Sequence, residues 1–345
     1  MKIKHLSPSS IGTFDMCNFA FYLTYELKMR GFQNKGAAMG SVTHYVLEAI
    51  ARKMVKLAEK DPVAVSKIYD SKKRRMDIYF GKAIRDYPYL DLTTKDYEQC
   101  MKWVDHILYI DKASYMTQNI VGIEKDFDLI INKNGEVVDS DIAAKCKSLG
   151  LDEYEYVEEM TGKDAFRILG FIDLIVNRGG GCLEVIDWKT GKATKTHDEL
   201  MTDVQLAVYN LVCHYLYPEY KSRMVTIYYL RKKPITLYLD EGIDKTVKFL
   251  HNKWTEIKRC KAPKRTISGI NKRWKCRFCS FYDNSAVDGD KQACKRECDL
   301  LYALNSKGCD LSDFVAAVKD KGSIEKLLHT DDYKAEKELL YGGAF

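Results

Sequence analysis

The 345-residue sequence predicts an α/β fold in which helices flank a central mixed β-sheet. Three observations carry that expectation. Two strand-like runs, 166–177 and 182–190, are joined by "RGGG" as a hairpin. An amphipathic helix is predicted over 198–217, directly after the hairpin. Two more strand-like runs follow at 224–232 and 235–240, separated by Pro234. A strand–strand–helix–strand order of this kind brings the chain back to the same sheet.

The remaining elements follow in order. "LSPSSIGTFDMCNFAFYLTYEL" opens with Ser and Pro at capping positions and continues as an aromatic-rich helix. Residues 36 to about 59 predict a second helix, with small residues first and an apolar stripe at Val42, Tyr45, Val46, Ala49 and Ile50. A mostly helical insertion is expected at about 60–117. Residues 119–132 read as a strand, "KNGE" as a turn, and about 139–164 as an acidic helical insertion with eight acids against three bases. One domain is expected over 1–299, with a small helical tail over 300–345.

Composition narrows the class. With 46% apolar and 30% charged residues the chain is ordinary for a soluble protein. It has no apolar stretch of membrane-spanning length, and "MKIKHLSPSS" lacks the apolar segment of a secretory signal. A cytoplasmic protein without membrane contact is expected, and its eleven cysteines are read as reduced thiols, some of them metal ligands. Between Lys253 and Cys298 there are 13 Lys and Arg against 5 Asp and Glu, with aromatics interleaved, which suits a polyanion or simply a solvated basic surface. "RGGG" leads into a strand and lacks the spacing of a dinucleotide fingerprint. "TGKAT" lacks the upstream glycine and the following Ser or Thr of a P-loop, which excludes a self-sufficient helicase of that class.

"EVIDWKTGK" carries the chemistry. Asp187 and Lys189 are two residues apart in a strand and share a face, and the hairpin brings Asp173 of "GFIDLIV" near Asp187. Two close carboxylates repel each other unless a cation lies between them, and oxygen ligands suit Mg²⁺ or Mn²⁺. Lys189 could orient or deprotonate a water there, or stabilise charge developing on a phosphate. By itself an Asp-x-Lys pair is as often a surface ion pair.

The ordered set Gly40-x-x-x-His44, Gly170-x-x-Asp173, Asp187-x-Lys189 and Gln205-x-x-x-Tyr209 resembles the motifs of the PD-(D/E)XK nuclease superfamily. The likeness is nearest its RecB-like branch, which includes the AddB nuclease domain and CRISPR-associated and phage exonucleases. The resemblance implies a restriction-endonuclease-like core over 1–299 and a Mg²⁺- or Mn²⁺-dependent deoxyribonuclease. It implies that His44, Asp173, Asp187 and the Trp188 backbone carbonyl surround the metal and that Lys189 is catalytic. Gln205 and Tyr209 are implied to face the active site or DNA, with Lys192 a DNA contact. Glu124, in "GIEKDF", matches a frequent acid of the preceding core strand. The interval between His44 and Asp173 is long for this branch, which puts the substrate-binding surface in doubt.

The resemblance extends to the cysteines. Many RecB-like nucleases hold an iron–sulfur cluster with one cysteine before the core and three after it. Cys17, Cys276 and Cys279 match three of these, and the fourth falls on Cys294 or, alternatively, Cys298. A [4Fe–4S] cluster is implied, and a Cys₄ zinc site satisfies the same residues. Cys100, Cys146, Cys182, Cys213, Cys260 and Cys309 are most simply buried or surface thiols.

The function so implied is exonucleolytic hydrolysis of linear DNA, single- or double-stranded, in recombination, repair or phage DNA processing, with a helicase or recombination protein as a partner. The alternatives are a non-catalytic DNA-end-binding or scaffold subunit and an endonuclease. An intact Asp173, Asp187 and Lys189 favours the enzyme.

Overall fold

Cys182–Lys189 buries every residue from Leu183 to Trp188, the acids Glu184 and Asp187 included, so both of its faces are covered and it is an inner strand. In the computed structural model six strands form one mixed sheet: β1 (Ile120–Asn132), β2 (Val137–Ser140), β3 (Ala165–Gly179), β4 (Cys182–Lys189), β5 (Ser222–Tyr229) and β6 (Ile235–Tyr238). Their spatial order is β2-β1-β3-β4-β5-β6. Every neighbouring pair is antiparallel except β4 and β5, which run parallel. The structure describes residues 1–29, 33–58, 71–110, 120–191, 193–229, 233–239, 241–265, 276, 279, 281, 297–306, 308 and 310–321.

By its internal contacts the chain divides into two units. The larger comprises Lys4–Pro8 and Lys35–Thr255 and contains the whole sheet. One face of that sheet is covered by α3 (Lys35–Ala58), α4 (Lys72–Asp86) and α5 (Thr94–Ile110), which follow α1 (Pro8–Met16) and α2 (Asn18–Phe21) in the chain. Leu174, Val176, Ile186, Trp188 and Tyr228 of the strands interlock there with Val46, Ile50, Phe80, Trp103 and Ile107 of the helices. Trp188 is the largest of the fully buried side chains, and burying it contributes roughly 3 kcal/mol. The acidic stretch forms α6 (Ile142–Leu149) and α7 (Glu153–Thr161), packed on β1 and β3. A parallel pair needs a long crossover, and here it is α8 (His197–Met201) with α9 (Val204–Leu216).

The other unit comprises Met1–Ile3, Ser9–Asn34 and Glu256–Phe345. Its core joins Phe19, Leu23 and Met29 to Cys279, Phe281, Cys298, Leu301 and Phe314. Besides α1 and α2 it contains the end of α10 (Ile243–Arg259), then α11 (Glu297–Ser306) and α12 (Leu311–Lys321).

Two helices expected as continuous are broken, each by local chemistry. The first stops at Cys17, whose extended backbone (φ −163°) starts α2, and the chain goes on into a π-helical turn at Tyr22–Glu26. The helix expected over 198–217 divides at Asp203, whose carboxylate accepts the Gln205 and Leu206 N–H groups and begins a new helix. Apolar periodicity alone runs through both breaks; the Asp203 cap decides the second, whereas Cys17 makes no side-chain cap and marks the first by its extended backbone alone.

Candidate active and metal-binding site

Hairpin pairing between β3 and β4 ends at Leu174–Ile186. The next positions in register are Asp173 and Asp187, and two carboxylates directly opposite one another repel. Here the strands part. The Trp188 N–H donates instead to Asp173 Oδ2 at 2.8 Å, while β4 stays paired with β5 as far as Lys189–Tyr229. A gap in the sheet lined by acids results.

On the other side of β3, Ile123 pairs with Leu174 and Lys125 with Ile172, so Glu124 stands opposite Asp173. Its φ of +44° is uncommon for a residue with a side chain and marks a locally strained backbone. From above, α3 delivers His44, with Nδ1 3.6 Å from Asp173 Oδ1 and Nε2 2.9 Å from the Trp188 carbonyl oxygen. One ligand atom from each of His44, Glu124 and Asp173 lies within 4.8 Å of the other two.

Both motif glycines are required by close approach. A Cβ on Gly40 would come 2.8 Å from Thr190 Oγ1, so its absence lets α3 meet the end of β4 and sets the depth of His44. A Cβ on Gly170 would lie 2.6 Å from the Phe127 ring that crosses β3. The resulting cleft, about 420 Å³, is lined by Gly40, His44, Glu124, Asp173, Lys189 and Thr190 among others.

Behind the cleft is a second network. Lys189 Nζ donates to Asp187 Oδ1 at 3.0 Å and to Gln205 Oε1 at 2.8 Å. Gln205 Nε2 donates to Asp187 Oδ1 at 3.1 Å and to the Tyr209 hydroxyl at 2.7 Å, and that hydroxyl donates to Asp187 Oδ1 at 3.3 Å. The Asp203 cap fixes the start of α9, and one helical turn then separates Gln205 from Tyr209. Asp187 Oδ2 lies 2.8 Å from the Lys189 ammonium, yet is buried without an aligned hydrogen bond.

Charge in the site is unbalanced toward the negative. Burial, then the Asp173 and Glu48 charges, push Glu124 up to about 7. Burial also raises Asp187, helped by Asp173, with Lys189 working against it. Burial acts the same way on Asp173, but His44 and the Trp188 N–H outweigh it and hold that carboxyl below its usual range. For His44, burial disfavours the imidazolium, but Asp173 and Asp187 prevail and raise it. Lys189 is likewise raised by Asp187 against its own desolvation. The donor set fits a divalent cation: carboxylates and one imidazole converge, and a buried carboxylate oxygen has capacity to spare.

Of the residues singled out in the sequence, His44, Asp173, Asp187, Trp188, Lys189, Gln205 and Tyr209 all come together. The converging atoms belong to His44, Asp173 and Glu124, whereas Asp187 is turned toward Lys189 and the Trp188 carbonyl already faces His44. Glu124 was visible in the sequence as an acid on a strand, but its inward turn was not. Lys192 lies outside the described residues, as does most of the basic stretch at 253–298.

In the smaller unit, Cys17, Cys279 and Cys298 share one apolar cluster. The Cys279 N–H donates to the Cys276 carbonyl at 3.0 Å, the tight turn that a Cys-x-x-Cys pair needs. Burial, with the Cys279 and Cys17 thiols, pushes Cys298 up to about 12. None of the described cysteines forms a disulfide. Cys294 lies outside the described residues.

No helix among the described residues is long and apolar enough to cross a membrane. Comparison with curated proteins gives no match. A solved structure described as the crystal structure of SSO0001 aligns over 70% of this chain and 82% of its own, at 14% identity and a TM-score of 0.29. A family model, that of the PD-(D/E)XK nuclease superfamily, matches residues 5–283.

Proposed function

Because the chain belongs to the PD-(D/E)XK nuclease superfamily, we propose that it is a Mg²⁺- or Mn²⁺-dependent deoxyribonuclease of the RecB-like kind, acting on linear DNA as an exonuclease. The observation that carries this reading is the convergence of His44, Glu124 and Asp173 in a cleft that Lys189 also lines. These three side chains hold the cation, with Asp187 as the fourth candidate through its under-used Oδ2. When bound, the cation supplies positive charge for the scissile phosphate and acidifies the attacking water.

The chain's own groups do the rest. Lys189 sets its ammonium beside the phosphate, where it orients water and offsets negative charge that grows in the transition state. Gln205 and Tyr209 act through Lys189 and Asp187, holding both side chains in one arrangement as positioning residues. His44 keeps α3 tied to β4 through the Trp188 carbonyl while turning Nδ1 toward Asp173.

In the smaller unit, Cys17, Cys276, Cys279 and a fourth cysteine hold a [4Fe–4S] cluster in this reading. That fourth ligand is Cys294 or Cys298, and what supports Cys298 is that it is buried in the same cluster as Cys279 and Cys17. Iron content and visible absorbance of purified protein, wild type beside Cys298→Ser, test this; zinc with no iron would replace the cluster by a zinc site. A cytoplasmic role in recombination, repair or phage DNA processing, alongside a helicase or recombination protein, belongs to the same proposal.

The deciding experiment is digestion of end-labelled single- and double-stranded DNA with Mg²⁺ or Mn²⁺, wild type beside Asp187→Ala. Progressive release of label by wild type alone supports the exonuclease, and internal fragments from a circular substrate convert the reading to an endonuclease. Binding without cleavage in either metal makes the chain a DNA-end-binding scaffold.

A further inference from the structure

We propose that Tyr45 and Tyr79 form a stacking platform for a base of a single-stranded DNA substrate beside the cleft, with α4 carrying the phosphates of the same strand. This deepens the nuclease reading and rests on it. Tyr45 follows His44 in the chain and lines the same cleft, yet its surface is 48% exposed. Core packing does not explain the ring there, since α3 sends Val42, Val46 and Ile50 into the core. Its partner is Tyr79 of α4: the two rings stack with centroids 5.4 Å apart and planes 26° from parallel.

The helix that brings Tyr79 is strongly basic. Its fifteen residues, "KKRRMDIYFGKAIRD", hold six Lys and Arg against two Asp. Arg75 is one turn before Tyr79 and within electrostatic reach of it, and Lys82, exposed, is one turn after. Cations on either side of the half-buried Tyr79, beside the exposed Tyr45 ring, match a nucleic-acid strand, which alternates phosphates with bases. A duplex hides the faces of its bases, whereas a single strand offers them for stacking on an aromatic ring. The same stretch of chain therefore reads a strand whose next phosphate lies in the cleft.

The test is fluorescence anisotropy in EDTA, so that nothing is cut, with a labelled oligothymidylate and a labelled duplex of equal length. Tyr45→Ala should weaken single-strand binding about tenfold and leave duplex binding within twofold. Tyr45→Phe, which keeps the ring, should bind like wild type. Arg75→Ala with Lys82→Ala should flatten the salt dependence of single-strand binding. Tyr45→Ala binding the single strand as tightly as wild type overturns the platform, as does an equal loss on both substrates. Cleavage of the same oligonucleotide in Mn²⁺, measured in parallel, separates the two readings. If wild type cuts and Tyr45→Ala binds unchanged, the platform alone falls; if Tyr45→Ala loses single-strand binding but wild type never cuts, the platform stands and the nuclease reading falls.

Discussion

Asp128 and Glu124 stand four residues apart on β1, Asp128 paired with Leu169 of β3 and Glu124 opposite Asp173, and both are partly withdrawn from water. Around Asp128 every charge has an answer. Arg167, with no exposed side-chain surface, donates from Nε and Nη2 to the two Asp128 oxygens at 2.6 and 2.7 Å, and from Nη1 to Glu153 at 2.7 Å. Asp128 Oδ2 also accepts the Ala143 N–H at 2.9 Å, and Lys4 reaches Glu153 at 3.2 Å. Around Glu124, two neighbouring acids are the next largest influence after burial itself, and His44 and Arg52 only partly offset them. A buried ionic group with every lone pair engaged holds strands and helices together and has no capacity for a ligand. One left short of positive charge costs the fold stability until something cationic enters.

That contrast can be broken by mutation, and the largest effect belongs to the unbalanced side. Lys189→Ala should lower cleavage at least about 10³-fold, roughly 4 kcal/mol of barrier, with DNA affinity within twofold. Equal cleavage by that variant would show that the cluster does no chemistry. On the balanced side, Arg167→Ala leaves Asp128 without its countercharge and Glu153 with Lys4 alone, and should cost about 3–5 kcal/mol in urea unfolding. Its surviving folded fraction should cut DNA at the wild-type rate.

The sharpest comparison makes the same carboxylate-to-amide change at both acids. Asp128→Asn should destabilise by about 2 kcal/mol, since it trades charged hydrogen bonds for weaker ones. Glu124→Gln should do the reverse in metal-free protein at pH 8, stabilising by about 1 kcal/mol once solvent screening is allowed for. The sign follows from the shift: an acid raised from 4.5 to about 7 binds its proton more tightly when folded. Wild-type metal-free stability therefore falls as pH rises from about 4.5 through about 7, and Glu124→Gln should flatten that slope. Smallest of all, the rise in Tm that Mn²⁺ gives to wild type should shrink in Glu124→Gln and persist in Asp128→Asn.

Much of the site was legible because its residues sit at short, regular spacings on elements that composition already defines. An apolar run ending in Asp-x-Lys reads as a central strand that surfaces at a polar site, and Gln205 and Tyr209 read as one face of a helix. The breaks at Cys17 and Asp203 were not legible, because apolar periodicity continues past both and only a cap at Asp203 and an extended backbone at Cys17 interrupt it. The role of Glu124 depends on a positive φ, and a glutamate in a strand gives no sign of one. The Tyr45–Tyr79 stack joins residues 34 positions apart and exists only once α4 has docked on α3. Gly40 and Gly170 were visible as motif letters, but their reasons, Thr190 and Phe127, are tertiary.

The parallel pairing of β4 with β5 has a kinetic consequence. Asp173 and Asp187 lie on a tight hairpin whose closure is a fast local event, whereas Gln205 and Tyr209 lie on the crossover that must fold back before β5 can dock. During refolding the two acids therefore meet before the groups that hold Asp187 and Lys189 in register have arrived. The hydrogen bonds that hold Asp187 and Lys189 in register are therefore expected with the non-local step, after the hairpin has closed.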